Sequence, residues 1–171
     1  FVKVGASMVY NVGAPGLFAM RWGWEGVVTY IIILALVRWI MSEIVASIVT
    51  LFPIGIEIYR FSPMAIIIGA SLPIIAPDSA VALLLIPALV GCYVSGYWTQ
   101  HFEIGEVKGT TVDEFQFTET LGAVISAVLV VFVAWLHSIE YAVALGGAIA
   151  FFSFFLPVGV SNDKLQANLD M

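Results

Sequence analysis

Residues 26 to 52 read GVVTYIIILALVRWIMSEIVASIVTLF, a run broken by only two charged side chains and closed by Pro53. As a helix such a run rises about 40 Å, more than the ~30 Å hydrocarbon core of a bilayer, so it can cross with tilt to spare. Lipid offers no partner to exposed backbone amides and carbonyls, which excludes open strands and loops at that depth. Trp22 and Trp24, just before the run, fit an aromatic belt at the membrane surface.

The rest of the 171 residues share this bias. Hydrophobic side chains make up 61% and charged ones 11%, with a mean hydropathy of +1.06, whereas a soluble domain carries about 25% charged residues. A water-soluble surface cannot absorb that much apolar side chain. The expectation is an all-α fold: a polytopic, multi-pass transmembrane helical bundle of four to five membrane segments, in one integral membrane domain spanning 1–171. Which membrane it occupies is not legible. The chain opens at Phe1 rather than methionine, compatible with processing or with a longer parent, and shows no signal-peptide pattern at this end.

Segment by segment, 1–24 is apolar but interrupted by Gly5, Gly13, Pro15 and Gly16, which reads as an interfacial or partly inserted stretch. Residues 26–52 form the first firm span. Residues 64–98 carry Pro73, Pro77 and Pro87, and are either one helix interrupted near its middle or a re-entrant hairpin turning around Pro73–Asp78, with Ser79 or Asp78 as N-cap of the second arm. Residues 99–117 read as a polar loop, 118–136 and 140–158 as two further membrane segments, and 159–171 as a solvated tail. Small residues recur at spacing four in the last pair, Gly122 and Ser126, then Ala142, Gly146 and Ala150, the pattern that lets helices approach closely in lipid. Those two arms are expected to pack on each other or on a neighbouring subunit.

Arg38 and Glu43 are the costly residues. An arginine near the bilayer centre costs about 2.5 to 3.5 kcal/mol on insertion scales, so it faces protein or water. Five positions at about 100° each set the two side chains roughly 140° apart around the helix, which rules out an intrahelical pair. Each therefore needs a partner elsewhere: Asp78, Glu57 or a carboxylate of another subunit for Arg38, or protonation for Glu43. Intramembrane charges of this kind mark ion, proton or solute paths, although they also fix helix register against neighbours, or sit at the headgroups when the flanking segments are short. Asp78, between Pro77 and Ser79, is either part of a helix break that coordinates a cation or polar solute or a residue of a plain turn. Glu57 and Arg60, three apart, are spaced to pair at an interface.

Other chemistry is sparse. The six basic residues are isolated, which excludes a nucleic-acid surface and a polybasic lipid patch. The lone Cys92 allows no internal disulfide and reads as a buried apolar group. His101, Glu103 and Glu106 are ligand types without a second nearby histidine, so no metal site or cofactor is expected. No catalytic motif is present, and enzymatic activity of the chain alone is not expected. The reading that results is a transporter or channel component for an ion, proton or small solute, with Arg38, Glu43 and Asp78 meeting near the midplane. Its alternative is a non-catalytic structural subunit of a larger membrane enzyme or energy-converting complex. Either one implies a homo-oligomer or other membrane subunits as partners, besides the lipid bilayer.

Overall fold

The computed structural model describes residues 2–169 and is all-helical over that range, with no strand among the described residues. Helix α1 (Val2–Ser7) runs through a π-helical stretch (Met8–Gly13) into α2 (Ala14–Leu51). Then come α3 (Gly55–Phe61), α4 (Pro63–Ile75), α5 (Ala80–Val107), α6 (Val112–Leu136), α7 (Ile139–Phe151) with a 3₁₀ extension (Phe152–Phe155), and α8 (Asn162–Leu169). Four helical stretches are long and apolar enough to cross a membrane: Val2–Leu51, Gly55–Ile75, Ala80–Val107 and Val112–Leu136.

The longest of these is not one rod. At Gly23 the backbone takes φ 61° and ψ −148°, a conformation open to glycine because it lacks a Cβ, and the chain turns back on itself. Tyr30 Oη consequently donates to the Tyr10 carbonyl at 3.0 Å, and the Phe18 and Tyr30 rings stand 5.3 Å apart. A straight helix would hold residues 10 and 30 about 30 Å apart. The molecule is thus three helical hairpins, reversing at Gly23, at residues 76–79 and at 137–138. These reversals form one end of the bundle. The α3 segment and the α5–α6 turn lie at the other, with the 3₁₀ extension and α8.

Residues 2–18 form no surface segment. They are helical and sit at the centre, with Met8, Val9, Ala14 and Phe18 fully buried, while residues 19–22 emerge exposed at the Gly23 turn. The glycines that suggested interruption instead permit contact: a Cβ on Gly5 would lie 2.5 Å from the Gly146 carbonyl oxygen and 2.6 Å from the Ala150 nitrogen. Pro15 is tolerated because the π-helical widening ends just before it, where a proline ring would otherwise crowd the carbonyl four residues back.

The small-residue stripes of α6 and α7 close on this same segment. Gly122 faces Lys3, Ser126 Oγ donates to the Val4 carbonyl at 3.1 Å, and Gly146 meets Gly5 and Met8. Ala142 is buried with Met8 and Val130. Their main partner is therefore the N-terminal helix, which lies between the two arms.

Residues 99–117 are helical on both sides of a short turn. Polar residues did not end α5, because Gln100, Ile104 and Gly105 are buried against the bundle. Thr111 then starts α6 with a capping box: its hydroxyl accepts from the Glu114 amide at 3.3 Å, and Glu114 Oε2 accepts from the Thr111 amide at 2.8 Å. Residues 76–79 are a turn between α4 and α5, with Ser79 Oγ accepting from the Ala82 amide at 3.2 Å. Pro73 and Pro87 lie inside the helices on either side. The tail carries α8, whose Leu165 is 2% exposed, so an apolar side chain anchors what composition marked as solvated.

The outer surface is apolar. Trp135, Val131 and Val128 on α6 are 79%, 68% and 64% exposed, a surface suited to lipid rather than water. Trp22, Trp24 and Trp135 gather at the Gly23 end, where Arg21 and Glu140 pair at 3.2 Å.

Candidate functional site

Arg38 lies ~22 Å along the helix from Gly23 and about 20 Å from Leu51, near the middle of the second arm of α2. Its backbone is locked to α5: a Cβ on Gly91 would come within 3.1 Å of the Arg38 nitrogen, and Ser95 Oγ donates to the Arg38 carbonyl at 2.9 Å. Ser42 Oγ reaches Ser95 Oγ at 3.2 Å. The Arg38 side chain itself is exposed, in a groove of about 390 Å³ bordered by Ile31, Leu34, Ala35, Trp39 and Ser42. Tyr10, whose carbonyl accepts from Tyr30 Oη, and the exposed Asn11 lie on the π-helical stretch, also ~20 Å of helix rise from Gly23. Local widening of that kind recurs at functional positions in helices.

Glu43 is exposed about one turn further on, turned away from the bundle with Trp39, which is 66% exposed. Among the described residues neither Arg38 nor Glu43 forms an ion pair. Asp78 does not join them. It is exposed in the α4–α5 turn, and ~20 Å of helix rise separates it from the level of Gly91. The expected meeting of three charges at the midplane is therefore replaced by two charges on the outer face of α2 and a third at the bundle end. Glu57 is also unavailable to Arg38. Both its carboxylate oxygens accept from Asn162 Nδ2, at 2.8 and 3.1 Å, and this bond to α8 takes the place of the anticipated pairing with Arg60.

The chain matches no family model, no curated protein and no solved structure.

A second constellation lies at the Lys108 end and was not visible as a site in the sequence. Tyr93, Tyr97 and His101 fall four apart on one face of α5 and stack, with 5.0 Å between successive ring centroids. Tyr59 of α3 stacks on Tyr97 at 4.8 Å and places its hydroxyl 3.4 Å from both Tyr97 Oη and His101 Nδ1. Phe115 of α6 meets the His101 ring edge-on at 5.0 Å. That ring fits because residue 105 is glycine: a Cβ there would lie 1.8 Å from Phe115 Cζ. Lys3 crosses from the N-terminal helix to donate to Thr118 Oγ1 at 2.9 Å, its ammonium 5.4 Å from the Phe115 ring centre and 5.6 Å from that of Trp98.

The spacing of Tyr93, Tyr97 and His101 is a readable helical face, but reading 99–117 as a loop took His101 off it. His137 lies at the opposite end of the bundle and cannot join His101. No group of three or more His, Cys, Asp or Glu side chains suited to a metal occurs among the described residues.

Proposed function

We propose that the chain is a subunit of a membrane transport assembly, and that an ion, proton or small solute passes along the Arg38–Glu43 face of α2 where another subunit covers it. The observation that carries this reading is the outward, unpaired placement of two opposite charges at mid-depth on an otherwise apolar helix surface. Lipid there would leave an arginine uncompensated at a cost of about 2.5 to 3.5 kcal/mol or more, so protein or water covers it. Tyr10, Asn11 and Ser42 supply hydroxyl and amide groups at about the same depth, which a wet surface uses and a purely apolar joint does not. Among the described residues the interior is filled by Phe18, Tyr30, Ile86, Val90 and Tyr93. The path belongs to an interface.

A structural subunit is the second reading, favoured by the failure of Asp78 to join the other two charges. The two separate on one experiment. In vesicles carrying pH- and cation-sensitive dyes, Glu43→Gln and Arg38→Gln are each expected to lower flux at least tenfold while the oligomer survives purification. Unchanged flux in both variants overturns the transport reading. Loss of the oligomer in step with flux supports the structural one.

A further inference from the structure

The cleft at the Lys108 end has chemistry that the Arg38 face does not share, and a ligand there would be independent of the transport reading. Two cavities adjoin at this end. One, of about 340 Å³, is lined by Lys3, Tyr59, His101, Lys108, Glu114 and Thr118 among others. The other, of about 170 Å³, is lined by Arg60, Tyr97, Ser153 and Val158 and shares Tyr59, Ile104 and Lys108 with the first.

Three cations thus border the joint space against one carboxylate. That carboxylate, Glu114, is already engaged by the Thr111 amide in the capping box. Lys108 Nζ donates to the Val158 carbonyl and Lys3 to Thr118 Oγ1, so each ammonium is fixed at the wall yet keeps further donors, since an ammonium has three. One wall residue of each cavity also holds an unmet polar group. His101 Nε2 and Ser153 Oγ are buried and have no hydrogen-bond partner among the described residues. Buried polar atoms in folded proteins are nearly always satisfied, by protein, water or ligand. The remaining wall is flat and apolar, made by the rings of Tyr59, Tyr97 and Phe115 and the side chain of Ile104.

We propose that this cleft binds a small organic anion, a carboxylate on a planar apolar body. The oxygens would lie between Lys3 and Lys108 with the body against the aromatic wall. A bare phosphate would satisfy the cations but leave the ring surfaces uncovered. The volumes admit a molecule of about one aromatic ring, and a few convergent polar groups over an apolar lining are the usual composition of such sites.

Calorimetry on the purified full chain, with benzoate and inorganic phosphate as probes, tests this. Benzoate is expected to bind with a Kd below about 1 mM and phosphate at least tenfold more weakly. Lys108→Gln and Lys3→Gln should each weaken benzoate at least tenfold, while Lys164→Gln, on α8 outside the cleft, leaves it unchanged. Lys108 is exposed, so its variant keeps the fold and decides the matter even if Lys3→Gln loosens the N-terminal helix. No benzoate heat up to about 10 mM, phosphate binding as tight as benzoate, or an equal loss with Lys164→Gln overturns the proposal. So does benzoate binding that persists in phosphatidylcholine vesicles but disappears in phosphatidylglycerol, which would give the site to a lipid headgroup.

Discussion

Gly5→Val is expected to eject the N-terminal helix from the bundle and destabilise the protein by about 3 kcal/mol or more. The added Cβ would meet the Gly146 carbonyl oxygen at 2.5 Å and the Ala150 nitrogen at 2.6 Å. Both atoms are backbone, so neither can rotate away, and the helices would have to separate. Glycine to alanine within a helix ordinarily gains about 1 kcal/mol in propensity. Gly5→Ala should nonetheless lose stability, because backbone overlap outweighs that gain. Denaturant titration in micelles checks both variants. A Gly5→Val chain as stable as the parent would mean that residues 2–13 do not sit between α6 and α7.

The second large effect is at Gly91. Its Cβ would lie 3.0 Å from Val37 Cβ and 3.1 Å from the Arg38 nitrogen, so leucine would force the second arm of α2 away from α5. The bond from Ser95 Oγ to the Arg38 carbonyl and the Ser42–Ser95 contact would be lost with it. We expect Gly91→Leu to cost about 2 to 3 kcal/mol and to remove flux, because it displaces the backbone that positions Arg38. Gly91→Ala, which asks Val37 and the Arg38 backbone for only a few tenths of an ångström, should cost far less than leucine and keep the two helices in contact. The charge itself is untouched in both variants. Flux lost only in the leucine variant ties function to the placement of Arg38 rather than to its presence.

Much of the architecture is legible in the residue pattern. Apolar run length and sparse charge announce membrane-capable helices, and Ser79 before a run of alanine, valine and leucine announces the start of α5. Glycine is where the pattern misleads. In 2–22 a glycine looks like a break, but in a helix packed within lipid it is the residue that lets two backbones touch, and only the partner, Gly146 or Ala150, shows which role applies. Gly23 is the reverse case. It sits between Arg21 and Glu25 in a stretch that reads as the interfacial approach to a span, and its positive φ reveals that the chain turns there. Polarity misled at 99–117 for a similar reason, since Gln100 and His101 are polar residues that face the bundle from a helix.

For the site, composition singles out Arg38 and Glu43 as costly residues, and the angle between them comes from helix geometry alone. That both point outward does not, because Arg38 borders the stripe of Val37, Met41 and Val45 that packs inward while Glu43 lies nearly opposite it. The distance of Asp78 from that level depends on the length of α5 before Gly91, which the prolines at 73, 77 and 87 obscured. The aromatic cleft draws on α1, α3, α5 and α6, and no local pattern brings Lys3, Tyr59, His101 and Phe115 together.

In a bilayer the mid-depth face of α2 around Arg38 and Glu43 is expected to be covered by protein or water and not by lipid. Spin labels at Ala35 and Trp39, both exposed and beside those charges, can be compared in bilayers with a label at Val124, ~20 Å from the same end of the bundle and 56% exposed on α6. With Cys92→Ser as the background, oxygen collision rates at 35 and 39 are predicted to fall well below that at 124, or to be accompanied by access to a water-soluble nickel reagent. Oxygen-rich, nickel-free signals of equal size at all three positions would contradict it.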